Sequence, residues 1–573
     1  MKIPYAPLAT VCLWGLAACQ PADRSAQPAE PSSSEAPHLL SAQPVSDPDR
    51  LLANIAELAS DAYGGREPMS EGERLTLEFL QREFREMGLE PLFGDSYLQP
   101  VELVSIEPDP ETLSMTFHLD GRDRLLTYRD EMVANTSRVV AESRVESSEI
   151  VFVGYGIVAP EYGWNDYADI DVRGKTVLIL VNDPGFALQD PAVFKGNAMT
   201  YYGRWTYKFE EAARQGADAA LIIHDTAPAA YGWDVVRNSN TGPQFQLRRD
   251  DDSMGRTAIE SWIRKAVAEE LVTAAGLDLA VLEQQALSPE FRAIPLGSTM
   301  DASVRNRILR NRSYNVGALM KGAEAPDELF IYTAHWDHLG TDPSVPEGED
   351  GIYNGAVDNA SGVAALLELA HSFTALPRTP RRSVAFLAVT AEESGLVGSQ
   401  SYAEDPPFPM NRTVAGLNMD SMHVHGPTND VVVVGYGSSE LEDILHRRAD
   451  AQGRIVKPEE HPERGGYYRS DHFNFARKGV PMLYAEAGSD HRELGPEYIK
   501  QKSKEYLAQR YHTPLDEVDP GWDLRGLQQD IELYFGIGLE IADGDSWPQW
   551  YEGNEFRATR EHSLGSRQQS DNG

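Results

Sequence analysis

Between residues 325 and 420, three successive apolar runs each hand over, at their carboxyl end, to an acidic residue or a histidine. Residues 329–333 lead into Ala334-His335-Trp336-Asp337, residues 383–389 into Glu392 and Glu393, and residues 414–419 into Asp420. Short runs of this kind read as buried strands, while residues 361–376 have the apolar spacing of a helix. Strand and helix in alternation build a mostly parallel sheet, and ligands of such a sheet gather beyond the carboxyl ends of its strands. The expected architecture is α/β, a mostly parallel mixed sheet with helices on both faces, over residues 291–546.

Taken singly, these polar groups are ordinary. His335-x-Asp337 fits a hydrogen-bonded turn, and Asp358, in Ala356-Val357-Asp358-Asn359-Ala360-Ser361-Gly362, fits a helix cap. Adjacent carboxylates at the end of a buried strand are different, because Glu392 and Glu393 repel one another there unless a cation or a raised pKa offsets the cost. Asp420 follows another strand, and Tyr511-His512-Thr513-Pro514-Leu515-Asp516 supplies a second histidine. Nitrogen and oxygen donors without thiolate suit Zn²⁺, with Mn²⁺ or Co²⁺ as substitutes. The two cysteines, Cys12 and Cys19, both lie at the N-terminus, which excludes disulfides, thiolate zinc sites and cysteine nucleophiles from the folded body.

His335-x-Asp337, Asp358-Asn359-x-Ser361-Gly362, Glu392-Glu393-x-Gly395, Asn418-x-Asp420 and Tyr511-His512 together resemble, in order, the motifs of the di-zinc exopeptidase family that holds bacterial secreted aminopeptidases and glutamate carboxypeptidases. The resemblance spans the catalytic half and implies the zinc aminopeptidase fold, of the phosphorylase/hydrolase-like kind, with two Zn²⁺ per chain. It makes Asp358 a bridging ligand, with His335 and Asp420 on one metal and Glu393 and His512 on the other. It makes Glu392 the general base, has Asp337 orient His335, and places Tyr511 to donate a hydrogen bond to the developing oxyanion. It puts Tyr467, Tyr468 and Arg469 near the substrate, with structural packing as the alternative. The implied activity is removal of N-terminal residues from peptides. The alternatives are a carboxypeptidase, a glutaminyl cyclase with one zinc, and a binding lipoprotein without activity.

Other polar clusters carry less. His338 reads as a neighbour of the ligands, and His423-Val424-His425 as a loop feature. Ser470-Asp471-His472 and Ser489-Asp490-His491 invite a Ser/His/Asp reading, yet a triad is defined in space rather than by a local run, and there is no Gly-x-Ser-x-Gly elbow.

The rest of the chain divides by composition. Lys2, a short apolar run and Leu16-Ala17-Ala18-Cys19 form an export signal over residues 1–19 that resembles a lipoprotein box, which implies lipidation of Cys19. Gln20 after it resembles the pattern for the outer membrane, with the protein facing the periplasm. Residues 20–48 are Pro-, Ser- and Ala-rich and read as a tether. Two helical patterns open the N-terminal part of the peptidase domain at 49–134, and residues 135–290 read as an inserted β-rich unit resembling a protease-associated (PA) domain. Tyr202-Gly203-Arg204-Trp205 in that unit is either a loop toward the substrate or a packed aromatic cluster. Residues 547–573 read as a frayed polar tail. A net charge of −38 argues against a nucleic-acid partner, and membrane contact is expected through Cys19 alone.

Overall fold

The computed structural model describes residues 39–119, 121–342, 345–346 and 348–571. The export signal, Cys19 and the tether as far as residue 38 lie outside the described residues.

Four strands run parallel at the centre. Ala325–His335 lies between Arg382–Val389 on one side and Thr413–Asn418 on the other, and Thr413–Asn418 pairs in turn with Met482–Ala487. Ile294–Met320 borders Arg382–Val389 in the antiparallel sense, so the sheet is mixed. At Gly416 neighbouring strands come close, since a Cβ there would stand 2.5 Å from Met482 Sδ and 2.6 Å from Ile331 Cγ2.

Successive side chains of a strand point to opposite faces, and the apolar core follows that alternation. Phe330, Tyr332, Phe386 and Ala388 pack on one face against the helices Pro48–Leu58, Gly362–Thr374 and Arg525–Asp543. Leu329, Ile331, Leu387 and Val389 pack on the other against Tyr402 and Phe475, from the helices Val397–Glu404 and His472–Arg477. The sheet is thus covered by helices on both faces, as the sequence pattern predicts.

The inserted unit has its own sheet. Glu142–Phe152, Thr176–Leu180, Ala219–His224 and Ile259–Arg264 run parallel side by side. Its edges differ from the expected 135–290. Ser114–Leu119 and Met132–Asn135 already belong to this sheet. The 27-residue strand Ile294–Met320 pairs with it at one end and with the central sheet at the other. A strand shared in this way leaves no linker to mark the boundary in the sequence.

Both ends of the described chain are better packed than composition suggests. Leu39 is buried, the Val45 amide donates to Ser372 Oγ at 3.1 Å, and Arg50 meets Glu368 at 2.7 Å, so residues 39–48 are docked rather than tether. The tail folds into the helix Arg557–Asp571, with Trp550 buried before it. Arg560, fully buried, donates to the carbonyls of Thr413 and Val414 at 3.0 and 2.7 Å. A polar stretch hides this because the long side chain carries its charge inward to backbone carbonyls at the start of the strand Thr413–Asn418.

Candidate metal centre

His335 closes its strand, and Asp358 sits in the turn that opens the helix Gly362–Thr374. Glu392 and Glu393 follow Arg382–Val389, Asp420 follows Thr413–Asn418, and His512 comes just after the helix Pro496–Gln509. Ala391, Ser421 and His512 hold left-handed backbones with φ of 53°, 55° and 55°. Non-glycine residues pay for that conformation, and it concentrates at functional sites.

The five expected ligands converge on Asp358. His335 Nε2 is 3.2 Å from Asp358 Oδ1 and 3.3 Å from Asp420 Oδ1. His512 Nε2 is 3.2 Å from both Asp358 Oδ2 and Glu393 Oε2. One oxygen of Asp358 thus faces each half of the cluster. His338 also reaches the second half, with Nδ1 2.6 Å from Glu393 Oε1. The donor atoms of His335, Asp358 and Asp420 lie within 4.8 Å of one another, as do those of His338, Asp358 and Glu393.

The electrostatics fit a cation. Burial opposes charge on His335, yet the pull of Asp420 and Asp358 raises its pKa well above the ordinary value. His512 is raised to about 10 against the same opposition, through its contacts with Asp358 and Glu393. Glu392 is pushed well above the carboxylate range, first by burial and then by Asp420 and Glu393. A pocket whose carboxylates drag its histidines to the cationic form is one where a divalent ion would replace protons. With only nitrogen and oxygen donors in these groups, the residues fit zinc.

Neighbouring groups set the orientation of each ligand. His335 Nδ1 lies 3.1 Å from the carbonyl of Asp337, while the Asp337 carboxylate stands 3.8 Å away and accepts the Glu392 amide at 3.1 Å. Asp337 therefore steers the ring chiefly through its backbone, and its side chain fixes the start of the Glu392-Glu393 loop. Asn359 Nδ2 donates to the carbonyls of His335 and Met419, and its Oδ1 accepts the Ser421 amide, which links three motifs. Asp516 accepts the amides of Val357 and Asp358 at 3.1 and 3.0 Å. Ser470 Oγ donates to Asp420 Oδ2 at 2.5 Å.

The sequence gives no sign of Arg66. It is fully buried and donates to the carbonyls of Leu58, Trp336, Asn354 and Gly355 at 2.6 to 2.9 Å. One guanidinium therefore pins the chain beside both His335 and Asp358, from 270 residues away in the first case. Burial lowers its pKa to about 10, and the carboxylates of Asp358 and Asp516 work against that shift.

Other expected residues have different surroundings. The Tyr511 ring stacks on His512 at 3.9 Å, and burial raises its pKa. Tyr467 and Tyr468 are buried in an aromatic cluster with Phe473 and Trp550, and Tyr468 spends its hydroxyl on Glu555 at 2.6 Å, so packing is what occupies them. Of the three residues expected near the substrate, Arg469 alone is exposed. The loop around Tyr202 belongs to an aromatic cluster with Tyr162, Phe194 and Tyr207. Ser489 bonds Asp430 and Ser399 bonds Asp471, so neither Ser-Asp-His run forms a triad.

The open α/β sheet thus carries, at its strand ends, a buried histidine–carboxylate cluster with the donor set of a metal centre. Residues 315–534 match the model of Peptidase family M28. The chain is similar to mouse "Aminopeptidase NAALADL1", with 36% identity over 142 residues covering 23% of this chain and 17% of the relative. It is also similar to a "Probable zinc metalloprotease" of Pyricularia oryzae, with 40% identity over 139 residues covering 24% and 25%. The chain thus spans a quarter or less of the length of either relative. Among solved structures, it overlaps an aminopeptidase from Aneurinibacillus sp. strain AM-1 with TM-score 0.45 and 19% identity, covering 87% of this chain and 95% of that one.

Proposed function

We propose that the chain is a zinc-dependent exopeptidase that removes N-terminal residues from peptides. The observation that carries this reading is the sharing of Asp358, with one oxygen toward His335 and the other toward His512. The match of the same residues to the Peptidase family M28 model supports it. In this reading His335, Asp358 and Asp420 hold one zinc ion, and Asp358, Glu393 and His512 hold a second. When bound, the metal pair would supply Lewis acidity and lower the pKa of water.

The chain's own groups do the rest. Glu392 is buried and feels the charges of His335 and Asp420 from one half and of Glu393 from the other, and its raised proton affinity suits it to accept a proton from water and return it to the leaving amine. Tyr511, held by its stack on His512, keeps its phenolic proton and is suited to donate a hydrogen bond to an oxyanion. Export and lipidation at Cys19 complete the reading, supported by Leu16-Ala17-Ala18-Cys19, and would hold the enzyme at the outer membrane on the periplasmic side. Cys19→Ser should then move the protein to the soluble fraction.

The deciding experiment is a panel of aminoacyl amides and N-blocked peptides, with metal content measured on the same preparation. Hydrolysis of free-amine substrates, lost on chelation, with two zinc equivalents per chain is the expected result. Activity on N-blocked peptides alone would make the protein a carboxypeptidase, and a single metal would favour the cyclase.

A further inference from the structure

Of the 14 residues in the helix Pro496–Gln509, Ile499 alone is buried. Among the described residues, one side-chain hydrogen bond leaves this helix for the body of the domain, from the Tyr506 hydroxyl to Asp516 Oδ2 at 3.4 Å. Leu507 on the helix, and Leu494 and Leu515 beside it, are each more than half exposed. A cavity of about 100 Å³ is lined by Tyr498, Lys502 and Tyr506 from the helix and by Val357, Val424 and Trp522 from the body, so the two surfaces are not in full contact. An isolated helix of this length is marginal in water, and helices in proteins are held mainly by the apolar face they bury. A single isoleucine is little of such a face.

The segment around the helix is anchored at both ends. The Glu493 and Leu494 amides donate to Nδ1 of the buried His491, both at 3.0 Å, and Asp516 is buried where it accepts the Val357 and Asp358 amides. Gly495 forms the first joint with φ of 76° and ψ of −179°, a backbone conformation open essentially to glycine alone. Between these anchors the link to the metal centre is His512, whose Nε2 is 3.2 Å from Asp358 Oδ2 and from Glu393 Oε2. Its side chain is 34% exposed. An ion pair this open to water adds little to stability, whereas a metal–ligand bond couples strongly to the folding of the segment that supplies the ligand.

We propose that residues 494–515 form an arm fastened by metal through His512, closed while His512 shares an ion with Asp358 and Glu393 and free to swing out when it does not. This fastening rests on the two-metal reading above and adds to it a control by metal supply. Tyr511 belongs to the arm, its ring stacked on His512 at 3.9 Å, so the hydroxyl assigned to the oxyanion is placed only when that half of the centre is filled. The effect is reciprocal: the factor by which the closed arm tightens zinc binding is the factor by which zinc favours the closed arm.

The test is hydrogen exchange, followed by mass spectrometry, on the whole protein stripped of metal and then loaded with zinc, with zinc content measured on the same samples. Zinc should slow exchange of the 496–509 amides by roughly tenfold or more, no less than a metal site loses with one supporting group. The helix Trp205–Arg214 of the inserted unit should not respond. In His512→Ala the slowing at 496–509 should vanish, and unchanged exchange in the central strand Ala325–His335 would show that the variant folds. Zinc bound without slowing, slowing shared equally by both helices, or slowing retained in His512→Ala would each overturn the arm while leaving the metal centre in place. Failure of the wild-type protein to bind zinc would overturn the two-metal reading and the arm with it.

Discussion

His338 Nδ1 lies 2.6 Å from Glu393 Oε1, the shortest link from any histidine to the cluster and one made by a side chain with no exposure. Its other ring nitrogen is buried without a partner. A ring so placed either orients the Glu393 carboxylate or joins it in holding the ion. In both cases its loss should weaken zinc retention, by about tenfold or more for a group of this kind. Competition with a calibrated chelator measures it on His338→Ala, and an unchanged dissociation constant would reduce His338 to packing.

Glu392→Gln removes the proposed proton acceptor while keeping size and most hydrogen bonding. Turnover should fall by about 10²- to 10⁴-fold. Zinc content should stay at the wild-type value, because Glu393 rather than Glu392 contacts His512. A variant that lost metal along with activity would place Glu392 among the ligands instead.

Arg66→Met takes a buried guanidinium donor from four carbonyls, of which that of Gly355 keeps the Ala360 amide at 3.2 Å. Buried acceptors stripped of partners cost about 1–3 kcal/mol each, with partial relaxation. A total loss of roughly 3 kcal/mol or more is expected from urea unfolding, along with weaker metal binding. A loss under about 1 kcal/mol would mean that water reaches the vacated space.

His472 carries a pH signature. It is fully buried with its ring 4.4 Å from Tyr467 and 4.9 Å from Tyr484, and burial lowers its pKa to about 3. The unfolded chain binds this proton near pH 6.5, so the contribution to stability is complete above that pH and declines as pH falls toward 3. The slope is at most about 1.4 kcal/mol per pH unit. His472→Phe, which keeps an aromatic ring in place, should flatten the fall in stability between pH 6 and 4. Parallel curves for the two proteins would show that His472 is already charged in the fold.

The sequence by itself determined the order of strands and helices from residue 325 and the polar residues at their ends, because apolar periodicity is a local property and each ligand sits one or two positions past a run. It also determined which elements are absent from the chemistry, since no cysteine lies beyond residue 19. Only the tertiary structure decided what surrounds those ligands. Arg66 reaches the site from a position with no local mark, and Asp516 and Ser470 take roles there that their local motifs do not show, since a buried hydrogen bond depends on where the backbone comes to lie in space. The same holds for Tyr467 and Tyr468, whose fate as packing depended on Trp550 and Glu555 near the far end of the chain. It holds again for the tail, where a polar helix is fixed by one arginine reaching strand-end carbonyls nearly 150 residues earlier.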